Sequence, residues 1–220
     1  VLIDNIHGYI ANYDIGENTF IQNVDTIVVS EKTAFGNGVA VSVLDETGGR
    51  EVLIHDRLSS HFAYIFALYR YRDGLTDRLQ QIVKNYAAEI SSDKGSIGKD
   101  TFIRNIGNIT NVKIGGNTVL DGVSRLHNGS INSNGSAPVK IGSQVILEDF
   151  IVSSGSVIDE GTMLTRCFVG QGCVIGHGYS AVDFLFPFQS LSDNGEACAI
   201  FAGSFTLTHL KPKLLFGGIF

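Results

Sequence analysis

Apolar residues between Ile97 and Tyr179 recur every 17 positions, a period that belongs neither to a helix nor to a simple alternating strand. Ile97-Gly98 and Ile114-Gly115 are 17 apart, as are Ile141-Gly142, Ile158-Asp159 and Ile175-Gly176; only the step from 114 to 141 is longer, at 27. A second series runs through Ile103-x-x-Ile106, Leu120-x-x-Val123, Leu147-x-x-Phe150 and Leu164-x-x-Cys167, and a third through Ile109, Leu126, Val152 and Val169. Each unit is thus three short segments of about five or six residues, each with its own apolar anchor, which is the pattern of one coil of a three-sided parallel β-solenoid. The spacing predicts Ile97, Ile114, Ile141 and Ile158 along one shared edge. It assigns the surplus of the long step to a ten-residue excursion, the polar loop 127–138.

The physical basis is the pleat. Alternate side chains of a strand face opposite ways, so a segment such as Ile-Gly-x-x-Thr needs a turn before its first and last residues both face inward. Gly supplies the turn, and the small or β-branched Thr101, Thr118, Val145 and Thr162 suit a narrow interior. Each buried Ile, Leu or Val adds roughly 1.5–3 kcal/mol, but only when the next coil covers it. A β-sandwich or an α/β sheet with evenly spaced strands is the rival; a sandwich requires period-2 alternation with hairpin turns every 8–12 residues or so, and the anchors keep steps of five and six instead.

The whole chain divides into four parts. Residues 1–55 spell further coils, with Ile3-x-x-Ile6, Ile21-x-x-Val24 and Val41-x-x-Leu44 in the second series and Ile15-Gly16-x-x-Thr19 and Phe35-Gly36-x-x-Val39 in the first. Residues 56–92 are helical in period: Leu58, Phe62, Ile65, Phe66 and Tyr69 form one face, and Leu75, Leu79, Ile82, Val83, Tyr86 and Ile90 a second. Asp56 or Ser59 is the expected cap of the first helix and Asp73 of the second, giving a helical hairpin packed across one solenoid face. The main coils fill 93–180. Residues 181–220 are expected to be irregular coils, and both ends of the chain read as cut from a longer protein.

Charge and composition exclude several function classes. A formal net charge of −6 with no basic run argues against nucleic acid or an anionic membrane surface as partner. No apolar run reaches the roughly 18 residues a membrane span needs. Cys167, Cys173 and Cys198, without a C-x-x-C pair, point to reduced thiols and a cytoplasmic setting. Cys167 and Cys173 occupy inward positions of the repeat, so they read as core residues rather than zinc ligands, and no metal site is expected.

The unit Ile/Val/Leu-Gly-x-x-Thr/Ser/Val-x resembles that of the hexapeptide-repeat, left-handed β-helix proteins, and the handedness follows from that resemblance alone. Four longer runs are similar to a bacterial family of larger β-helix proteins labelled acyltransferase or UDP-N-acetylglucosamine pyrophosphorylase-like. They are Ile10-Ala11-Asn12-Tyr13, the stretch from Val41 through Asp45-Glu46-Thr47-Gly48-Gly49-Arg50 to Val52, Asn128-Gly129-Ser130-Ile131-Asn132-Ser133, and Asn194 to Gly203. The resemblance spans nearly the whole chain and carries over no catalytic residue. It implies an acyl-CoA-dependent transferase acting on a sugar, nucleotide-sugar or amine, with acyl-CoA as co-substrate, a small-molecule acceptor and a homo-oligomer, a trimer in related proteins. The alternatives are a non-catalytic scaffold or sugar-binding module, or the β-helix part of a nucleotidyltransferase, although no Gly-rich nucleotide loop is present.

Transferases of that kind commonly use a histidine on the solenoid wall as general base, and a neutral imidazole near pH 7 suits the task. Of the six histidines, His177 stands between two glycines in Ile175-Gly176-His177-Gly178-Tyr179, where a side chain projects outward from a turn. It is the first candidate. His209 and Glu196 are a second base and an orienting carboxylate, although the spacing does not place them beside His177. His127, Asn128, Asn132 and Asn134 in the polar stretch, with Asn194, are the candidate substrate contacts; His7, His55 and His61 are assigned to packing or surface.

Overall fold

The computed structural model describes residues 1–45, 47–72, 74–208 and 213–219. Every pairing in its large sheet is parallel, and the chain winds as a solenoid in which each lap hydrogen-bonds to the one before and after. The fold is mainly β, with two helices, α1 (Ser60–Leu68) and α2 (Leu75–Ile90). Among the described residues no helix is long and apolar enough to cross a membrane.

The stacking register explains the 17-residue period. Ile21, Ile103, Leu120, Ile141, Ile158 and Ile175 lie one above another in successive laps. Ile15, Ile97, Ile114, Ile131, Val152 and Val169 form another column. A third holds Ile27, Ile109, Leu126, Leu147, Leu164 and Ala181. All but Ile15 are buried in one continuous core, which also encloses Cys167 and Cys173.

This register corrects two expectations. Ile97 and Ile114 continue to Ile131, whereas Ile141 and Ile158 continue from Leu120, so the four residues belong to two columns and not to one edge. The polar stretch from His127 is likewise no ten-residue loop: Arg125–Asn132 is a strand between Phe102–Ile114 and Ile146–Ser153. The long step is one 21-residue lap, as Leu126 beneath Leu147 and Ile131 beneath Val152 both record, and the four extra residues fall in the turn between Asn132 and Lys140. Asn and Ser residues disguised the strand because a solenoid strand needs apolar groups only on its inward face.

Turns recur at residues whose backbone lies in the left-handed region: Asn105, Asn111 and Asn117 in one lap, and Arg166, Gly172 and His177 in a later one. Asn tolerates that conformation better than most residues, which is why Asn marks the early corners. Asn5, Asn23 and Asn105 add a ladder, each Nδ2 donating to the side-chain oxygen of the next lap and Asn105 to Asp121.

Between Val28 and Gly95 the chain leaves the solenoid. The lap Tyr13–Val28 stacks directly on the lap beginning at Gly95, and an antiparallel bridge between Thr33 and Ser92 closes the neck of the insertion. Residues 35–44, which spell further coil, lie within it: Ala40–Ser42 pairs antiparallel with Glu51–Leu53. Phe35-Gly36 and Val41–Leu44 copy the apolar spacing but have no neighbouring lap to stack on. Ser59 caps α1, its Oγ accepting from Phe62 N at 3.2 Å; Asp73, the expected cap of α2, lies outside the described residues.

The insertion covers an apolar strip. Ile151, Phe168, Leu185 and Phe201 stack on the outer surface of consecutive laps, and Val41, Val52, Ile54, Phe66, Ala67 and Val83 bury against them. Beyond residue 181 the laps continue in the strands Ser180–Phe188, Gly195–Phe201 and Lys213–Ile219, but their steps depart from 17: Ala181 pairs with Ala197 and Ala197 with Leu215.

Candidate functional site

Two places on the solenoid gather polar side chains with chemical potential. The first is the turn that follows the Ile158 and Ile175 strands. Glu160, His177 and Asn194 each occupy the left-handed turn position of successive laps, with φ of 56°, 53° and 51°. Gly176 pairs with Asp193, so Asn194 stands next to His177 in the adjacent lap. His177 Nδ1 contacts Glu160 Oε2, and both side chains remain about half exposed. Glu196, exposed, pairs with Ser180 three residues beyond His177.

Of the predicted residues, His177 and Asn194 hold the same turn position in adjacent laps, Glu160 contacts His177 from the lap before, and Glu196 stands two residues beyond Asn194 at the start of its strand. His209 lies outside the described residues. Sequence reasoning missed Glu160, yet the signal was present: it precedes His177 by one 17-residue lap, and Asn194 follows by another. An imidazole with one nitrogen on a carboxylate and its side chain about half exposed has the carboxylate-oriented arrangement seen in general bases.

The remaining candidates are dispersed. His127 sits in its strand between Thr110 and Glu148, half-buried. Asn128 donates to Asp149 Oδ1 at 2.6 Å while its own Oδ1 accepts from Thr33 Oγ1 and Gly36 N, which fixes the start of the insertion. Asn134 closes its own turn, accepting from Ser136 N, Ser136 Oγ and Ala137 N. Asn132 donates to Asp56 Oδ1 at 3.0 Å and thereby reaches the second site.

That second site is a cleft between α1 and the solenoid wall. A chamber of ≈ 540 Å³ is bordered by Asp56, Arg57, Ser59, Gln171 and Phe188. It adjoins an apolar chamber of ≈ 340 Å³ bordered by Tyr64, Ile65, Phe201 and Ala202, and Ser60, His61, Pro187 and Ser204 line both. His177 lines neither. The cleft beside α1 and the corner that carries His177 are therefore treated as two separate sites.

Behind the cleft His55 is buried, its Nδ1 accepting from Arg57 N and its Nε2 without a partner. Burial holds its pKa below the usual imidazole range. Burial also pushes the Cys167 thiol up to about 12 and the Cys173 thiol to about 11, which makes them inert core groups. Among the described residues no cluster of three or more His, Cys, Asp or Glu is placed to hold a metal.

The sequence of a family described as a domain of unknown function (DUF4954) matches residues 1–220, the whole chain. The chain belongs to the DUF4954 family. It is also similar to an uncharacterized protein of Treponema pallidum (strain Nichols), 23% identical over 158 residues, which is 67% of this chain and 22% of that protein. The DUF4954 chain thus spans less than a quarter of that relative's length.

Proposed function

We propose that this DUF4954 chain transfers an acyl group from acyl-CoA to a sugar, nucleotide-sugar or amine, with His177 as general base. The observation that carries the reading is the contact between His177 Nδ1 and Glu160 Oε2 at a solenoid corner. In this reading Nδ1–H donates to the carboxylate, which leaves the Nε2 lone pair facing the acceptor. The acceptor's hydroxyl or amine attacks the thioester carbonyl and gives its proton to Nε2; CoA leaves as thiolate and takes up that proton. Asn194 and Glu196 contact the acceptor, and a second copy of the chain, in a trimer, walls off the exposed corner from water. The same reading takes the solenoid to be a three-sided, left-handed, hexapeptide-type helix in the cytoplasm. The recurrence of left-handed turns at steps of five and six residues supports three sides.

Calorimetry and a thiol-release assay with acetyl-CoA and a panel of nucleotide sugars, hexosamines and amines test it. Saturable CoA binding with thiol release is the expected result, with turnover reduced about 10²–10⁴-fold in His177→Ala and less in Glu160→Gln. No CoA binding at all removes the transferase and leaves a scaffold. CoA binding with turnover intact in His177→Ala removes the base.

A further inference from the structure

We infer that the cleft between α1 and the solenoid wall is a binding site for a medium-chain aliphatic carboxylate, the tail in the apolar chamber and the head at Arg57. This stands apart from the acyl-transfer reading, since His177 lines neither chamber.

The argument begins with what the apolar chamber leaves uncovered. Tyr64 and Ile65 are 46% and 39% exposed on α1, facing a space of ≈ 340 Å³ floored by Phe201 and Pro187. The insertion buries the rest of the apolar strip, but at this end of α1 no side chain of the described residues fills the gap. Such a volume falls within the roughly 300–1,000 Å³ of small-molecule pockets, and an aliphatic tail there removes apolar surface from water on both sides.

The adjoining chamber sets the head group. Arg57 borders it, its guanidinium over the Tyr86 ring at 5.0 Å and donating to the Tyr86 hydroxyl, and it forms no salt bridge with a carboxylate among the described residues. The neighbouring acid, Asp56, is turned to Asn132, whose Nδ2 donates to it at 3.0 Å. Ser60, His61 and Ser204 add hydrogen-bonding groups where the two chambers meet, and Gln171 adds one within the larger chamber. An anionic head thus meets a guanidinium that no carboxylate neutralises directly, whereas a cationic head gains nothing from Arg57 and finds one Asp56 oxygen already engaged by Asn132. A purely apolar ligand leaves the polar chamber unused.

Isothermal titration of the 220-residue chain with hexanoate, octanoate and decanoate, each below its micelle concentration, is the test. Saturable binding that tightens with chain length is expected, with decanoate bound at least tenfold more tightly than decyltrimethylammonium. Arg57→Ala is expected to weaken decanoate binding about fivefold and Ile65→Asp at least tenfold, both exposed positions whose variants are compared at unchanged melting temperature. The chain-length series on the unmodified chain needs no variant to fold. No saturable binding, affinity independent of chain length, or equal binding of the carboxylate and the decyl cation each overturns the assignment.

Discussion

Phe150 closes over Gly129 of the preceding lap so tightly that a Cβ at position 129 would lie 2.4 Å from the Phe150 ring. The two residues are register partners in a column that runs from Val112 to Cys167, and the missing side chain of one makes room for the excess volume of the other. Gly129→Ala is therefore expected to destabilise the chain by about 1–3 kcal/mol through overpacking. Phe150→Ala is expected to cost about 3–5 kcal/mol through the cavity it leaves. The double variant should fall short of the sum, because a Cβ at 129 partly fills that cavity. Urea denaturation of the four proteins measures this.

Asp183 ties the insertion to the solenoid. It accepts from Arg166 Nε at 2.8 Å and Nη2 at 2.7 Å, and from Ser42 N at 3.1 Å, while itself being buried. Asp183→Ala strands these donors, for an expected loss of about 1–3 kcal/mol. Limited proteolysis should then cut within residues 30–92 faster than in the solenoid laps, since the insertion loses an anchor while the parallel ladder keeps its own.

His55 gives a sign for the acid side of stability. Its folded-state pKa is depressed by burial, so the unfolded chain binds the proton more readily. The resulting stabilisation is complete above the unfolded imidazole value of about 6.5 and is lost as pH falls through the lower folded-state pKa. Melting temperature is expected to drop as pH goes from 7 toward 5, and the slope across that window should shrink in His55→Gln. Calorimetric scans at half-unit pH steps check it.

The cysteines should separate by reactivity. Cys167 and Cys173 are buried with raised thiol pKa, whereas Cys198 is only half-buried. Under native conditions an aromatic disulfide reagent is expected to label Cys198 well before the other two, which should react only on unfolding. Mass mapping of the labelled peptides decides the order.

Much of the architecture was legible because a solenoid writes its periodicity into the chain. Ile158 and Ile175 are 17 apart for the same reason that they touch. The reading failed where two columns share one alphabet. Ile114 and Ile141 look alike in sequence, and only the hydrogen-bonded register assigns the first to Ile131 and the second to Leu120. Residues 35–44 failed in the same way, since their spacing fits a coil but the ladder partner is absent. At the candidate corner, the 17-residue steps from Glu160 to His177 to Asn194 carried a signal that the sequence reading did not use. For the cleft, nothing in the sequence brought Arg57 and Ile65 to Gln171 and Phe201, because that meeting depends on how the insertion docks.

The order of residues by itself determined that this chain winds into stacked parallel laps, because each inward aliphatic group must find its like one lap away. The tertiary structure decided which lap follows which across the four-residue excess and where the 30–92 segment lies. Those depend on the ladder of backbone hydrogen bonds and on the outward strip of Ile151, Phe168, Leu185 and Phe201, surfaces that exist only once the laps have stacked.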